Sequence, residues 1–246
     1  MLTVGQALLL VLFAAIGTFL VGGFLFAYGP AGIAASELLF IGLPVLLLAP
    51  RRGGLAGIGV SKPRARDVLG AALVGLSGWA FLAGVILPIQ EKIAPTPPEL
   101  ERALESAAAP NLGALLAIAI VPALCEELLV RGGLAFALDR ARGRWLAVLG
   151  SALAFGLLHA SPYRFVPTFL LGCSFAAIAL HAGSIVPTMI AHALNNGAIW
   201  LLGAVPALQE GFEHHGSLVT LVAVGFLTIG HILVFANTRV STYWKP

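Results

Sequence analysis

The stretch Pro122-Ala123-Leu124-Cys125-Glu126-Glu127-Leu128-Leu129-Val130-Arg131 places two adjacent glutamates and an arginine in an otherwise apolar run. An ionisable side chain near the centre of a bilayer costs about 2.5–3.5 kcal/mol to insert, so three of them within six residues indicate a function. Residues four apart share a helix face, so we predict an internal ion pair between Glu127 and Arg131. Glu126 points about a third of a turn away from that pair. It is the carboxylate left free for chemistry.

The composition around this stretch is that of a membrane protein. Of the 246 residues, 59% are hydrophobic and 10% are charged, and the mean hydropathy is +0.97. A chain this apolar has the bilayer as its solvent, which excludes the ordinary soluble classes. We expect a multi-pass integral protein of a prokaryotic cytoplasmic membrane.

Eight apolar segments are close to the 17–25 residues that a spanning helix needs. They cover residues 4–28, 33–49, 68–89, 112–137, 145–160, 165–181, 185–203 and 217–236. Tyr28-Gly29-Pro30 is predicted to break the helix between the first two segments. We therefore predict an all-α polytopic bundle of about eight transmembrane helices with a membrane-embedded polar cavity. The chain, residues 1–246, would be one integral-membrane domain, with its catalytic core in residues 112–203.

The basic residues predict the orientation of this bundle. The loops 50–67 and 138–144 hold eight of the 14 Lys and Arg residues. Short loops rich in Lys and Arg stay in the cytoplasm, so both termini are predicted to be cytoplasmic. The same bias accounts for the net charge of +3 without a nucleic-acid partner.

A short amphipathic helix is predicted between the third and fourth spans. Thr96 is placed to cap it and Pro97 to occupy its first turn, and the helix would extend to Glu105. It would serve either as a solvated connector that seals the bundle or as a lid that guides substrate.

Two further polar pairs lie in later spans. Phe155 and His159 are four residues apart, as are His192 and Asn196, so each pair shares a helix face. At 1.5 Å per residue, Glu126 and Asn196 lie about 18 Å from the cytoplasmic boundary, His159 about 22 Å and His192 about 12 Å. All four depths fall within a hydrocarbon core of roughly 30 Å, which predicts a convergent site.

These residue types are suited to hydrolysis without a covalent intermediate. A carboxylate beside an imidazole can take a proton from water and return it to a leaving amine. A histidine and an asparagine amide can donate to the oxyanion of a tetrahedral intermediate. The sequence thus predicts cleavage of an amide or ester.

A catalytic zinc is the alternative for the same residues. Glu126, His159 and His192 could supply one carboxylate and two imidazoles. The helical zinc signature of two histidines four apart is absent, and the only obvious acceptor for a far imidazole nitrogen, Glu127, is assigned to Arg131. We favour a metal-independent enzyme without a cofactor.

Three ordered motifs resemble those of the CPBP family, the CAAX prenyl protease and bacteriocin-processing intramembrane proteases, also called the Abi family. They are Glu126-Glu127 followed by Arg131, Phe155 followed by His159, and Gly183-Ser184-Ile185-Val186-Pro187 leading into His192 and Asn196. They span residues 122–200. The resemblance implies an eight-helix bundle with a membrane cavity and endoproteolysis near a C-terminus or membrane anchor.

The resemblance also implies residue roles and partners. Glu126 and His159 would activate water, and His192 and Asn196 would hold the oxyanion. Glu127 and Arg131 match the second glutamate and the arginine of the family. The expected partners are the lipid bilayer and a membrane-anchored, prenylated or leader-bearing substrate; a C-terminal sorting anchor is a further candidate.

Other functions are compatible with the same residues. Midplane carboxylates and histidines also build the proton relays of transporters and channels, although no internal repeat is found. A non-catalytic immunity or scaffold protein would not need an intact site. Cys125 could act as a nucleophile with His159, although little positive charge lies near it. The remaining ionisable residues of note are expected to be solvated or to pack: Glu37, His181, His214, His215 and His231.

Overall fold

The computed structural model describes residues 1–99, 102 and 110–236, and these are helical, without a β-strand. The predicted all-α class is confirmed. The helical stretches are α1 (Val4–Leu48), α2 (Ala65–Ile93), α3 (Leu112–Arg142), α4 (Arg144–Leu158), α5 (Pro162–Ala182), α6 (Val186–Ala204) and α7 (Pro206–Phe235). Short 3-10 turns at Ala49–Arg52 and Ala56–Ile58 connect α1 to α2.

The first stretch, α1, folds back on itself at the predicted break. Gly29 has φ 62° and ψ −144°, a conformation that only glycine adopts readily. Beyond it the chain returns along the first arm, so that Phe40 packs beside Phe13 with ring centroids 6.1 Å apart. α1 is therefore a helical hairpin.

Within the described residues, five stretches are long and apolar enough to cross a membrane: α1, α2, α3, α5 and α7. α4 is apolar but has only 15 residues, and α6 carries His192, Asn195 and Asn196 among its 19 residues. The predicted count of eight spanning helices is not confirmed. Large apolar side chains are exposed along these helices, for example Phe19 and Leu221. An apolar surface of this extent suits lipid.

Proline widens the helices at regular places. A π-helical turn ends two residues before each of Pro44, Pro88 and Pro122. Proline lacks the N–H that an α-helix needs and its ring clashes with the carbonyl four residues earlier, so the preceding turn expands. In α3 a second wide turn, Glu127–Ala135, follows closely. Pro122, in α3, therefore helps to set the direction in which Glu126 and Glu127 point.

Small residues bring helices into backbone contact beside the polar residues. A Cβ on Gly75 of α2 would clash with the carbonyl oxygen of Ala191 in α6. A Cβ on Gly172 of α5 would lie 3.0 Å from the Cα of Ala152 in α4, as expected for close packing. Ser174 of α5 joins two helices by a hydrogen bond: its hydroxyl bonds to Nε2 of His231 in α7 at 2.9 Å.

The predicted amphipathic helix after α2 is described only in part. Among the described residues Thr96 caps no helix; its N–H and hydroxyl donate to the carboxylate of Glu91, at 2.9 and 3.0 Å. That carboxylate lies on the preceding helix and attracts both donors. Most of the predicted helix after Thr96 lies outside the described residues, and so does the chain after residue 236.

Candidate active site

Arg131 forms the expected ion pair with Glu127. Its Nη1 lies 2.9 Å from Oε1 of Glu127, and both side chains are fully buried. The Nη2 of Arg131 donates to the carbonyl oxygen of Gly172 in α5 at 3.2 Å, and the Phe155 ring of α4 lies under the guanidinium at 4.5 Å. One side chain of α3 thus joins α3, α4 and α5.

His192 of α6 lies between the two adjacent glutamates. Its Nδ1 is 3.2 Å from Oε1 of Glu127, and its Nε2 is 3.5 Å from Oε2 of Glu126. Both glutamates and His192 are buried. The structure therefore brings a carboxylate and an imidazole of the predicted site into direct contact, but the imidazole is His192 and not His159.

The ion pair fixes which nitrogen of His192 carries hydrogen. A carboxylate held by Arg131 can only accept hydrogen bonds, so the Nδ1 that faces Glu127 must donate. In the neutral ring, Nε2 is then an acceptor that faces Glu126. His192 can donate from Nε2 only when it is protonated.

The charges of this cluster balance with one proton. Glu127 and Arg131 cancel each other, which leaves Glu126 and His192. A buried cluster is least costly when its charges are compensated, so one proton is expected on this second pair. With that proton on His192, Glu126 is a free carboxylate and Nε2 is a donor.

His159 contacts Phe155, and the Phe155 ring in turn contacts His192. Its Nδ1 donates to the carbonyl oxygen of Phe155 at 2.9 Å, which leaves Nε2 as an acceptor when the ring is neutral. The Phe155 ring makes edge contacts with both imidazoles, with centroids 5.0 Å from His159 and 5.7 Å from His192. Among the described residues, His159 makes no hydrogen bond to Glu126.

Asn196 is bonded to the backbone of α3. Its Nδ2 donates to the carbonyl oxygen of Ile118 at 3.2 Å. In an α-helix that carbonyl would accept from the N–H of residue 122, and Pro122 has none. Asn196 thus supplies a donor that the proline removes. It lies one helical turn, about 6 Å, from His192 along α6.

The neighbouring Asn195 is turned toward α2. Its side chain is buried, and its Oδ1 lies 3.4 Å from the position of a Cβ on Gly78. Its Nδ2 donates to Oδ1 of Asn196 at 3.3 Å. Of the two amides, Asn196 is the one on the His192 face.

Several neighbours of the site are not predicted from the sequence. The Phe175 ring lies 5.6 Å from the Arg131 guanidinium carbon and 5.7 Å from the His192 ring. The hydroxyl of Thr188, one turn before His192, interacts with Glu127. Both residues belong to apolar runs and carry no local signal of function.

Two charged neighbours of Glu126 come from distant parts of the chain. Glu37 of α1 and Arg164 of α5 interact electrostatically with Glu126 and with each other. Glu37 reaches the site because its turn of α1 packs on the segment of α3 that ends at Glu126. Arg164 is exposed. Together they add one charge of each sign, so the balance of the cluster is unchanged.

The alternative use of Cys125 as a nucleophile finds little support in the geometry. The Cys125 sulfur packs against Gly42 of α1, and its described contacts include no histidine. No three His, Cys, Asp or Glu side chains of the described residues are grouped closely enough to hold a metal. The expectation that Glu127 is taken by Arg131 alone is wrong, because Glu127 also accepts from His192.

Part of the chain matches the model of a known protein family. Residues 108–198 match the family described as type II CAAX prenyl endopeptidase, Rce1-like. The predicted CPBP resemblance is confirmed. Every residue of the predicted site lies in the Rce1-like match, which covers about a third of the chain. The match and the apolar helices support an integral membrane protease. No curated protein and no solved structure matches the chain.

The Glu127–Arg131 pair can be tested with a double-mutant cycle. Glu127→Ala should destabilise the protein by about 3–5 kcal/mol, because it leaves the buried charge of Arg131 without its partner. Glu127→Ala with Arg131→Met should recover part of that loss. Thermal unfolding in detergent measures the effect.

The exposed pair Glu99–Arg102, with side chains 78% and 71% exposed, is the matched control. Glu99→Ala should change stability by no more than about 1 kcal/mol. If the buried double variant is no more stable than either single variant, Glu127 and Arg131 do not stabilise each other.

The structural role of Asn196 can be separated from a catalytic one. Asn196→Ala should cost about 1–3 kcal/mol, since the Ile118 carbonyl loses its donor. Pro122→Ala restores the N–H at residue 122, so the double variant should unfold at a higher temperature than Asn196→Ala. If Asn196 also binds the oxyanion, the rate of cleavage by the double variant stays low.

Pro88→Ala is the matched control, since Pro88 follows a similar wide turn in α2. Combined with Asn196→Ala, it should restore no stability. If Pro122→Ala and Pro88→Ala restored equal stability to Asn196→Ala, the unpaired Ile118 carbonyl would not be the cause of the destabilisation.

Proposed function

We propose that the protein is an intramembrane endopeptidase of the CAAX prenyl type, which cleaves a peptide bond near the C-terminus or membrane anchor of its substrate. The observation that carries the proposal is the placement of His192 between Glu126 and Glu127, within the part of the chain that matches the endopeptidase family. The substrate would be a prenylated or otherwise membrane-anchored protein, presented from the bilayer.

Water is activated first. In the reactive form, the shared proton is on His192 and Glu126 is a carboxylate. A water molecule donates one hydrogen to Glu126 and the other to Nε2 of His159, which is free to accept because Nδ1 donates to Phe155. The water oxygen attacks the substrate carbonyl carbon as Glu126 takes its proton.

The next two steps are stabilisation of the oxyanion and departure of the leaving group. The carbonyl oxygen gains the electron pair and accepts hydrogen bonds from protonated Nε2 of His192 and from the Asn196 amide. The C–N bond then breaks, and Glu126 returns its proton to the leaving nitrogen. No covalent enzyme intermediate forms. Glu127 acts through His192: like the carboxylate of a catalytic triad, it holds the tautomer and the orientation of the ring.

The orientation of the bundle is part of the proposal. The basic loops before α2 and between α3 and α4 would face the cytoplasm, with both termini on that side. The membrane would be a prokaryotic cytoplasmic membrane, and the polar residues of the site would line a cavity open to the bilayer.

Glu126→Gln tests the base. The swap keeps the shape of the side chain but removes its basicity, so kcat should fall by about 10²–10⁴-fold while the protein remains folded. His159→Ala should lower kcat by a similar factor. Purified protein would be incubated with a prenylated CAAX peptide, a leader peptide and a sorting-anchor peptide, and mass spectrometry would locate any cut.

Glu210→Gln is the matched control, because Glu210 is exposed on α7; it should leave kcat unchanged. Retention of more than about a tenth of kcat in Glu126→Gln would remove Glu126 from the role of base. Proton flux into proteoliposomes without any cleavage would favour a transporter, and a cellular phenotype that survives Glu126→Ala would favour a scaffold.

The proposed reaction needs no metal, and this is tested separately. Cleavage by untagged protein should survive exhaustive chelation, and elemental analysis should find less than one zinc per chain. Stoichiometric zinc, with cleavage lost on its removal and restored on its return, would overturn this and make Glu126 a ligand or a metal-assisted base.

A further inference from the structure

A second cluster of charged groups lies away from the site, where α2 begins. Arg64 and Arg66 approach the two carboxylate oxygens of Asp67, whose side chain is fully buried. The Nε of Arg64 lies 2.6 Å from Oδ2 of Asp67, and the Nε of Arg66 lies 3.8 Å from Oδ1. Two arginines thus share one carboxylate, and Arg66 is held at a distance too long for a hydrogen bond.

Two more basic groups join the cluster from α4 and α5. His181, near the end of α5, interacts electrostatically with Arg64, Arg66, Asp67 and Arg144. Arg144, the first residue of α4, donates to the carbonyl oxygen of Leu180 at 3.2 Å. Three helices therefore bring their basic residues to one end of the bundle. We call Arg64, Arg66, Arg144 and His181 the basic cluster.

The basic cluster has more positive charge than its carboxylates offset. Three arginines face Asp67 and Asp139, the latter 3.6 Å from Arg144. At least one positive charge is therefore left over. The contrast with the active site is direct, because the charges there balance with one shared proton.

Hydrogen-bonding groups of the basic cluster are also left over. Four nitrogens are buried and have no hydrogen-bond partner in the described part of the chain: Nη2 of Arg64, Nε and Nη2 of Arg66 and Nε2 of His181. One acceptor, Oδ1 of Asp67, is also unpaired, so the unpaired nitrogens outnumber it. His181 is only 7% exposed. Buried donors of this kind are normally paired. Those on Arg64 and Arg66 are suited to an anion with several oxygens, because a guanidinium binds phosphate with two parallel hydrogen bonds.

The surroundings of the basic cluster indicate the source of that anion. The side chains of Arg64 and Arg66 are 36% and 32% exposed, so an anion has access from outside. Leu69, one turn further along α2, is exposed, as is Ile232 near the end of α7. A polar group at the basic cluster would thus adjoin apolar surface, as the headgroup and acyl chains of a lipid require.

We propose that the basic cluster binds the headgroup phosphate of an anionic phospholipid, with Arg64 and Arg66 donating to the phosphate oxygens. Basic pockets between spanning helices are known to hold anionic headgroups. The phosphate supplies the charge and the acceptors that Asp67 alone does not. This site is independent of the proposed proteolysis, and it would tie the ends of α2, α4 and α5 together at the membrane surface.

Native mass spectrometry of the full chain in detergent tests the proposal. Wild-type protein should retain phosphatidylglycerol in preference to phosphatidylcholine with the same acyl chains, and its melting temperature should rise with added phosphatidylglycerol. Arg66→Gln should weaken phosphatidylglycerol binding by about tenfold, the scale of one charge-assisted hydrogen bond. Arg142→Gln is the matched control: Arg142 is exposed at the same end of the bundle, and its loss changes net charge equally.

Each other outcome counts against the proposal. Equal retention of the two lipids, or an equal loss in Arg142→Gln, would leave only general attraction to a basic surface. Stabilisation by inorganic phosphate as large as that by the lipid would make the ligand a free anion. If Arg66→Gln does not fold, Arg66→Lys keeps the charge and removes the planar fork. Its phosphatidylglycerol binding should still fall severalfold, and wild-type binding in that variant would overturn the site.

Discussion

The largest fully buried side chain of the described protein is that of Arg131. A cation removed from water is costly unless it is paired and hydrogen-bonded, and its partners come from three helices: Glu127, the Gly172 carbonyl and the Phe155 ring. A buried ion pair is weak evidence of stability as such. Here it holds an ionised carboxylate against His192, and so determines the tautomer of the imidazole beside Glu126.

Proline acts on the same helix in a second way. Pro122 removes the N–H that would close the preceding turn of α3, and the turn before it is wide. The Ile118 carbonyl accepts from Asn196 of α6 instead. The two helices of the site are therefore joined twice, through the His192 contacts and through this bond. Asn196 thus compensates for the N–H that Pro122 lacks. Under the proposed mechanism, stability and catalysis are coupled at Asn196.

The sequence predicts what lies within one helix better than what lies between helices. The Glu127–Arg131 pair follows from helix spacing, and the break at Gly29 follows from turn chemistry. The double contact of His192 is not predicted, because Glu127 is 65 residues away, Glu126 is one residue further, and no periodicity encodes either contact. Glu37 is unpredicted for the same reason. Only the packing of α1 on α3 brings it to Glu126.

The candidate active site and the basic cluster differ in how their net charge is neutralised. In the candidate active site, one proton on the Glu126–His192 pair would complete the charge balance without an external ion. In the proposed reaction that proton stays on His192, and Glu126 carries the proton taken from water. In the basic cluster, Asp67 and Asp139 do not match the three arginines, and no proton can remove the excess because arginine stays charged. The phospholipid headgroup proposed above would offset this excess from outside the protein. The first arrangement suits catalysis, and the second suits binding.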